Sequence, residues 1–299
     1  MASITQVIYV TGILSVSYVL YRVAGFLWTY LRPSRLYRYH HGAQPWACIT
    51  GATDGIGLGI AHELASHNFN LILHGRNPVK LKNVTSSILE LNPSIKILTY
   101  VFDTNEYKSI ESTPFPKLIE GLNLTILVNN IGLGYETVTA EDVDWQINTN
   151  LRFATQLTRC AFPSLKSHSP SLVITMGSTA ETGAPWVCVY AGAKAYLKSW
   201  CKSMRMQMKA EATDIEFLHL NMVEVTTVGN ALEETFARPN ARRWARIALR
   251  QAGFDSGVVH GYWVHALQRG FVDCLPERVK DMIVLPEMAK RRRVLGKSK

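Results

Sequence analysis

A chain of 299 residues, 47% apolar and 18% charged, can bury a large core and is not a disordered segment. Its net charge of +9 sits at the two ends: residues 1–41 hold Arg22, Arg32, Arg35 and Arg38 with no acid, and residues 286–299 hold six bases against Glu287. The 22 bases and 22 acids in between cancel, which argues against nucleic acid as a partner. Cationic ends suit an anionic membrane surface, although the run from Lys290 to Lys299 also reads as a solvated tail.

The five cysteines, Cys48, Cys160, Cys188, Cys201 and Cys274, are scattered and include no CxxC pair, so no disulfide framework and no structural zinc site is expected. His62, His67, His74 and His265 show no metal-ligand spacing either.

Met1 to Tyr21 is an uncharged run of 21 residues, and its apolar character resumes after Arg22 through Leu31. About 20 such residues span a bilayer as a helix. Tyr18, Tyr21, Trp28 and Tyr30 could form an interfacial belt, with Arg22 snorkelling to headgroups. A cleaved signal would want a basic start and a small-residue cleavage site. Ser, Thr and Gln dilute the run, so a helix lying in the interface is the alternative to a spanning one. The arginines that follow predict that the domain after them faces the cytoplasm. Residues 1–31 are thus read as an anchor helix, 32–45 as a linker, 46–285 as one folded domain, and 286–299 as a basic tail.

From Trp46 onward, strands alternate with helical segments, the pattern of an α/β doubly wound parallel sheet of Rossmann type. A short apolar strand, Trp46 to Thr50, runs into Gly51-Ala52-Thr53-Asp54-Gly55-Ile56-Gly57 and then an apolar helix. Strand, glycine turn and helix together make a pyrophosphate site, because glycines admit close backbone approach and the helix N-terminus offers free N–H groups. The second strand, Asn70 to His74, ends in Gly75-Arg76-Asn77. An acid here would favour NAD. Arg76 instead could pair with a 2′-phosphate through its planar donor fork, so NADP(H) is expected. Further on, Tyr190-Ala191-Gly192-Ala193-Lys194 puts a phenol and an amine on one helix face. A phenol titrates near pH 10, so a nearby cation that lowers its pKa would activate it.

The TGATDGIG turn, Asn129-Asn130-Ile131-Gly132 and the YxxxK pair together resemble the short-chain dehydrogenase/reductase family, over residues 46 to about 280. The resemblance implies hydride transfer between a nicotinamide cofactor and a ketone or secondary alcohol. It assigns Tyr190 as proton donor, Lys194 as its partner on the nicotinamide ribose, and Asn150 (with Asn148 the rival) as the asparagine that completes a proton relay. It assigns Asp103 and Asn130 to the adenosine side. The serine that binds the substrate carbonyl normally stands 13 positions before the tyrosine. Here that position is Gly177, so Ser178 takes the role across a shortened loop, or Thr179 does. The family's Pro-Gly-x-Val-x-Thr is replaced by Met222-Val223-Glu224-Val225-Thr226-Thr227, with Val225 and Thr227 expected to keep the nicotinamide contacts.

Residues 228–255 correspond to the family's two-helix substrate lid. The ending from Gly261 to Leu267 and from Cys274 to Glu277 resembles that of membrane-bound 17β-hydroxysteroid dehydrogenases and very-long-chain 3-oxoacyl-CoA reductases of the endoplasmic reticulum. The expectation is therefore an NADPH-dependent ketoreductase in the endoplasmic reticulum membrane, acting on an apolar 3-oxoacyl, steroid, lipid-like or polyketide-derived ketone. Oxidation by the same site and a non-catalytic scaffold are the alternatives. The oligomeric state stays open, a homo-oligomer included.

Overall fold

The computed structural model describes residues 3–106, 108–134, 139–227 and 233–296. The chain divides into two units, Met1–Ser34 and Arg35–Lys299. The first is α1 (Ile4–Leu31), opened by a capping box in which Ser3 and Gln6 satisfy each other's backbone N–H groups. None of its residues is buried within the protein, and it is long and apolar enough to cross a membrane. Arg22 donates to the Tyr18 hydroxyl one turn earlier at 2.8 Å.

The second unit is built on seven parallel strands, β1 (Trp46–Ile49), β2 (Asn70–Gly75), β3 (Ile97–Val101), β4 (Leu124–Asn129), β5 (Ser171–Met176), β6 (Ile215–Asn221) and β7 (Val258–His260). Their order is β3-β2-β1-β4-β5-β6-β7. The helices are α2 (Gly55–Ser66), α3 (Pro78–Leu91), the short α4 (Phe115–Leu118), α5 (Ala140–Ile147), α6 (Phe153–Ser167), α7 (Cys188–Ala210), α8 (Ala241–Ala248), α9 (Trp263–Asp273) and α10 (Glu277–Gly296). This is the doubly wound Rossmann architecture that the alternating pattern predicts.

Strand residues alternate between two cores, as a period of two requires. Ile49, Leu73, Val128 and Ile174 pack with Ile60 and Leu64 of α2, Ile88 of α3 and Trp244 of α8. Cys48, Ile72, Leu127 and Val173 pack with Phe153 and Leu157 of α6 and Cys201 and Met208 of α7. Because β1 lies between β2 and β4, the strand order reverses beside it, and the turns after β1 and β4 flank one crevice at the sheet's carboxyl edge.

Three boundaries differ from the sequence expectation. Leu36 and Tyr39, on a 3-10 turn within the expected linker, are buried, and Arg38 reaches Asp214 at 2.6 Å, so this stretch belongs to the folded unit. In the expected lid, residues 228–232 lie outside the described residues, and α8 is a core helix rather than a cover: Trp244, Ala245 and Ala248 are buried. A Cβ on Gly59 would stand 2.6 Å from the Ala241 carbonyl, so α8 rests directly on the backbone of α2. The basic end is not a separate tail from 286, because α10 continues through Gly296.

Candidate active site

Thr50, the last residue before the glycine turn, joins the two turns flanking the crevice. Its hydroxyl donates to the Val128 carbonyl at 3.2 Å and accepts the N–H groups of Asn130 and Ile131 at 2.9 and 3.1 Å. Asn130 answers by donating to the carbonyls of Thr50 and Gly51 at 2.9 and 3.3 Å. Gly51 has φ +64°, the left-handed region. A Cβ at Gly57 would stand 2.2 Å from the Gly51 carbonyl and 2.5 Å from the Asn130 amide, so no side chain fits there. Asp54 caps α2 by accepting from Gly55 N–H at 2.5 Å. Thr53 lies against Gly75, and Thr227 lies over Gly55, whose Cβ would meet the threonine methyl at 3.1 Å. Ile56 opens the helix beside them, and Val225 is buried beneath. The result is an open backbone cradle at a helix N-terminus, which fits a dinucleotide pyrophosphate.

Arg76 follows β2 directly, is exposed, and has no hydrogen-bond or ion-pair partner among the described residues. Asp103 stands at the neighbouring strand end, half-buried, with a carboxylate that accepts Asn105 N–H at 3.0 Å. Adjacent strands thus bring a free guanidinium and a carboxylate to the same edge of the sheet.

On the other side of the crevice, α5 runs into α6 through a π-turn, Asn148–Arg152. Such widened turns recur at functional sites because they redirect side chains. This one turns Asn150 inward, where its amide accepts Leu133 N–H at 2.7 Å and donates to Leu133 carbonyl at 2.9 Å. Lys194 reaches the same place: a Cβ on Gly132 would meet its Nζ at 3.0 Å and Asn150 Oδ1 at 3.6 Å. Gly134 faces the Tyr190 ring, 3.1 to 3.3 Å from where a Cβ would lie. The loop after β4 therefore touches three candidate residues, and of the two asparagines it is Asn150 that flanks Gly132 with Lys194.

Lys194 is 2% exposed and donates to the Met176 carbonyl at 2.8 Å. Burial pushes its pKa down to about 8, against the upward pull of the Glu181 carboxylate. Tyr190 departs from the sequence expectation of a lowered pKa. Burial raises its pKa, opposed by a hydrogen bond with Ser178, and Glu181 adds to the rise. The phenol so buried is held as an acid, as a proton donor must be. The hydroxyl that meets it belongs to Ser178, whose oxygen also accepts Ala180 N–H at 3.2 Å and caps the 3-10 turn Thr179–Thr182. Thr179 instead lines a polar cavity with Glu181, Lys198 and His260.

That turn carries a residue the motif reading missed. Glu181, with a side chain 3% exposed, accepts from Lys198 at 2.5 Å, Asn221 at 2.7 Å and His219 at 3.2 Å. Its burial acts upward on the pKa, but the donors His219, Lys198 and Asn221 outweigh it and hold the carboxyl at about 2. His219 is kept neutral by burial, so its Nε2 proton faces Glu181 while Nδ1 accepts the Thr175 hydroxyl at 2.8 Å. The sequence trace is the pair His219 and Asn221, two positions apart and so on one face of the otherwise largely apolar β6. Where the family's Pro-Gly is absent, Met222 carbonyl accepts Thr179 N–H at 3.0 Å, and Glu224 pairs with Arg238 at 2.7 Å.

The short chain dehydrogenase family model matches residues 45–236. A very-long-chain 3-oxoacyl-CoA reductase-like protein of Arabidopsis thaliana is 30% identical over 266 residues, covering 84% of this chain and 82% of that one. A very-long-chain 3-oxoacyl-CoA reductase of Pyrenophora tritici-repentis is 31% identical over 244 residues, covering 76% and 70%. Among solved structures, a short-chain dehydrogenase from Sphingobium yanoikuyae in complex with NADPH superposes with a TM-score of 0.63 at 20% identity, covering 78% of this chain and 96% of that one. The bulky-bulky ketone specific alcohol dehydrogenase from Comamonas testosteroni gives 0.63 at 20%, covering 78% and 95%. At such identity the structural likeness speaks for the fold.

Proposed function

The chain belongs to the short-chain dehydrogenase family and is an oxidoreductase acting on CH–OH groups, and from that premise we propose that it is an NADPH-dependent ketoreductase of apolar substrates, with 3-oxoacyl thioesters the favoured class. The observation that carries this reading is the gathering of Tyr190, Lys194 and Asn150 along one loop, at Gly134, Gly132 and Leu133. The names of the relatives from Arabidopsis thaliana and Pyrenophora tritici-repentis favour the thioester.

The cradle of Gly51, Thr53, Asp54, Gly55, Ile56 and Gly57 would hold the cofactor's pyrophosphate, with Asp103 and Asn130 toward adenosine and Arg76 toward a 2′-phosphate. Val225, Thr227, Tyr190 and Lys194 would flank its nicotinamide end. When bound, NADPH supplies the hydride.

Ser178 donates its hydroxyl hydrogen to the substrate carbonyl, a contact that strengthens as negative charge develops on oxygen. Tyr190, kept protonated by burial, delivers its proton to that oxygen. Lys194, cationic below about pH 8, stabilises the phenolate left behind. Asn150 uses one donor and one acceptor on Leu133 and keeps one of each to order a relay water. The α1 helix is the anchor, with the arginines after it keeping the catalytic unit on the cytoplasmic side of the endoplasmic reticulum membrane.

Product analysis of the purified chain with NADPH and a panel of 3-oxoacyl-CoA thioesters and steroid ketones tests the reading. A 3-hydroxyacyl product supports it. NADPH binding without any alcohol from the panel would leave a non-catalytic fold.

A further inference from the structure

The catalytic unit bears an apolar surface that the reaction does not use. On α9, Leu267 and Phe271 are 50% and 67% exposed, one helical turn apart. On α10, Val279, Met282 and Ile283 are 38%, 75% and 47% exposed, while Lys280, Val284 and Met288 on another row are half-buried. The two stripes are joined by the short turn Cys274–Pro276. Large apolar side chains exposed at helical spacing mark a surface made to be covered.

What covers them is indicated by charge. The α10 helix ends in Lys290, Arg291, Arg292 and Arg293, with Lys297 and Lys299 beyond and Glu287 the one acid from 286 onward. Apolar stripes running into a cationic end complement a lipid surface with anionic headgroups. A second copy of the chain over the same stripes would bring the same cations to one interface, where they repel.

Both ends of this helix pair reach segments beside the site. Trp263, which opens α9, meets Phe236 edge to face at 5.3 Å. The Arg292 guanidinium lies 5.4 Å over the ring of Trp186, four residues before Tyr190.

We propose that α9 and α10 dock on an anionic bilayer, their apolar stripes entering the interface and the basic end of α10 engaging headgroups, as a lipid contact separate from α1. The docking seats the catalytic face where an apolar ketone partitions, and it holds whichever ketone is reduced.

The full chain, reconstituted in phosphatidylcholine vesicles with and without phosphatidylserine, supplies the test. Cys274 is exposed in the turn between the two helices, so the variant Cys160→Ser/Cys188→Ser leaves it as the site for a nitroxide label. With phosphatidylserine, collision with a water-soluble nickel chelate should fall several-fold while collision with oxygen rises. Adding Met282→Glu/Ile283→Glu, or Lys290→Glu/Arg293→Glu, should restore chelate access without altering turnover of a water-soluble ketone. Equal chelate access in the two vesicles overturns the proposal. So does a short, fixed distance between labels of two chains, which would mean that a second copy covers the stripes.

Discussion

A Cβ on Gly177 would lie 2.0 Å from Asn221 Oδ1, a distance that no atom pair tolerates. Asn221 and its neighbour on β6, His219, occupy the space into which a residue at 177 would project, and both hydrogen-bond Glu181. The next position, Ser178, carries a hydroxyl at the head of the turn that Glu181 ties down.

Ser178→Ala should lower turnover by about 10²–10³ with a smaller effect on cofactor affinity, because it removes a donor whose bond strengthens in the transition state. Thr179→Ala should be mild. Tyr190→Phe should be at least as damaging as Ser178→Ala, since the proton donor is lost while the ring still packs. Steady-state kinetics of the three variants check the ranking, and a dead Thr179→Ala beside a near-active Ser178→Ala would reverse the roles.

Gly177→Ala should be destabilising, since neither the asparagine nor the histidine can retreat without giving up a bond to Glu181. Overpacking of this kind costs roughly 1–3 kcal/mol. Thermal melting reads the loss directly, and an unchanged melting temperature would contradict the geometry.

Glu181→Gln tests the buried carboxylate through pH. Its folded pKa of about 2 lies below the unfolded value of 4.5, so its stabilisation is present above pH 4.5 and lost as pH falls toward 2. That shift corresponds to on the order of 3 kcal/mol. The native chain should melt higher than the variant at neutral pH, with the gap closing between pH 4.5 and 2. Glu181 also holds the Tyr190 and Lys194 pKa values up, so the alkaline limb of the reductive pH profile should move to lower pH in Glu181→Gln.

Arg76→Ala should weaken NADPH binding about tenfold or more and leave NADH nearly unchanged, the loss of one charge-assisted contact. Cofactor titrations by fluorescence distinguish the two, and equal losses would make Arg76 structural.

Removal of residues 1–34 should leave a folded catalytic unit, whereas removal of residues 1–41 should not. The longer deletion strips Leu36 and Tyr39 from the core and breaks the Arg38–Asp214 pair. Burying two such side chains contributes on the order of 1.5–3 kcal/mol each. Circular dichroism melts of the two truncations decide between them.

The features legible in the chain alone are those whose chemistry is local. A glycine turn between strand and helix, a tyrosine and lysine one helical turn apart, and a long uncharged apolar run each state their geometry through spacing along a few residues. The alternation of strands and helices dictated the doubly wound sheet for the same reason. Asn150 was legible as a candidate, but only the π-turn explains why its side chain is turned onto Leu133, beside the glycine that Lys194 flanks. The Glu181 cluster was not legible, because it joins a turn after β5, two residues of β6 and one of α7, brought together by sheet order and not by sequence distance. The same holds for Leu36, Tyr39 and Trp244. In composition they sit within an ordinary linker and an arginine-rich lid, and only packing against distant strands and α2 makes them core. Local geometry is written in neighbouring residues, whereas burial and pKa depend on which remote groups arrive beside a side chain, and the tertiary structure alone decides that.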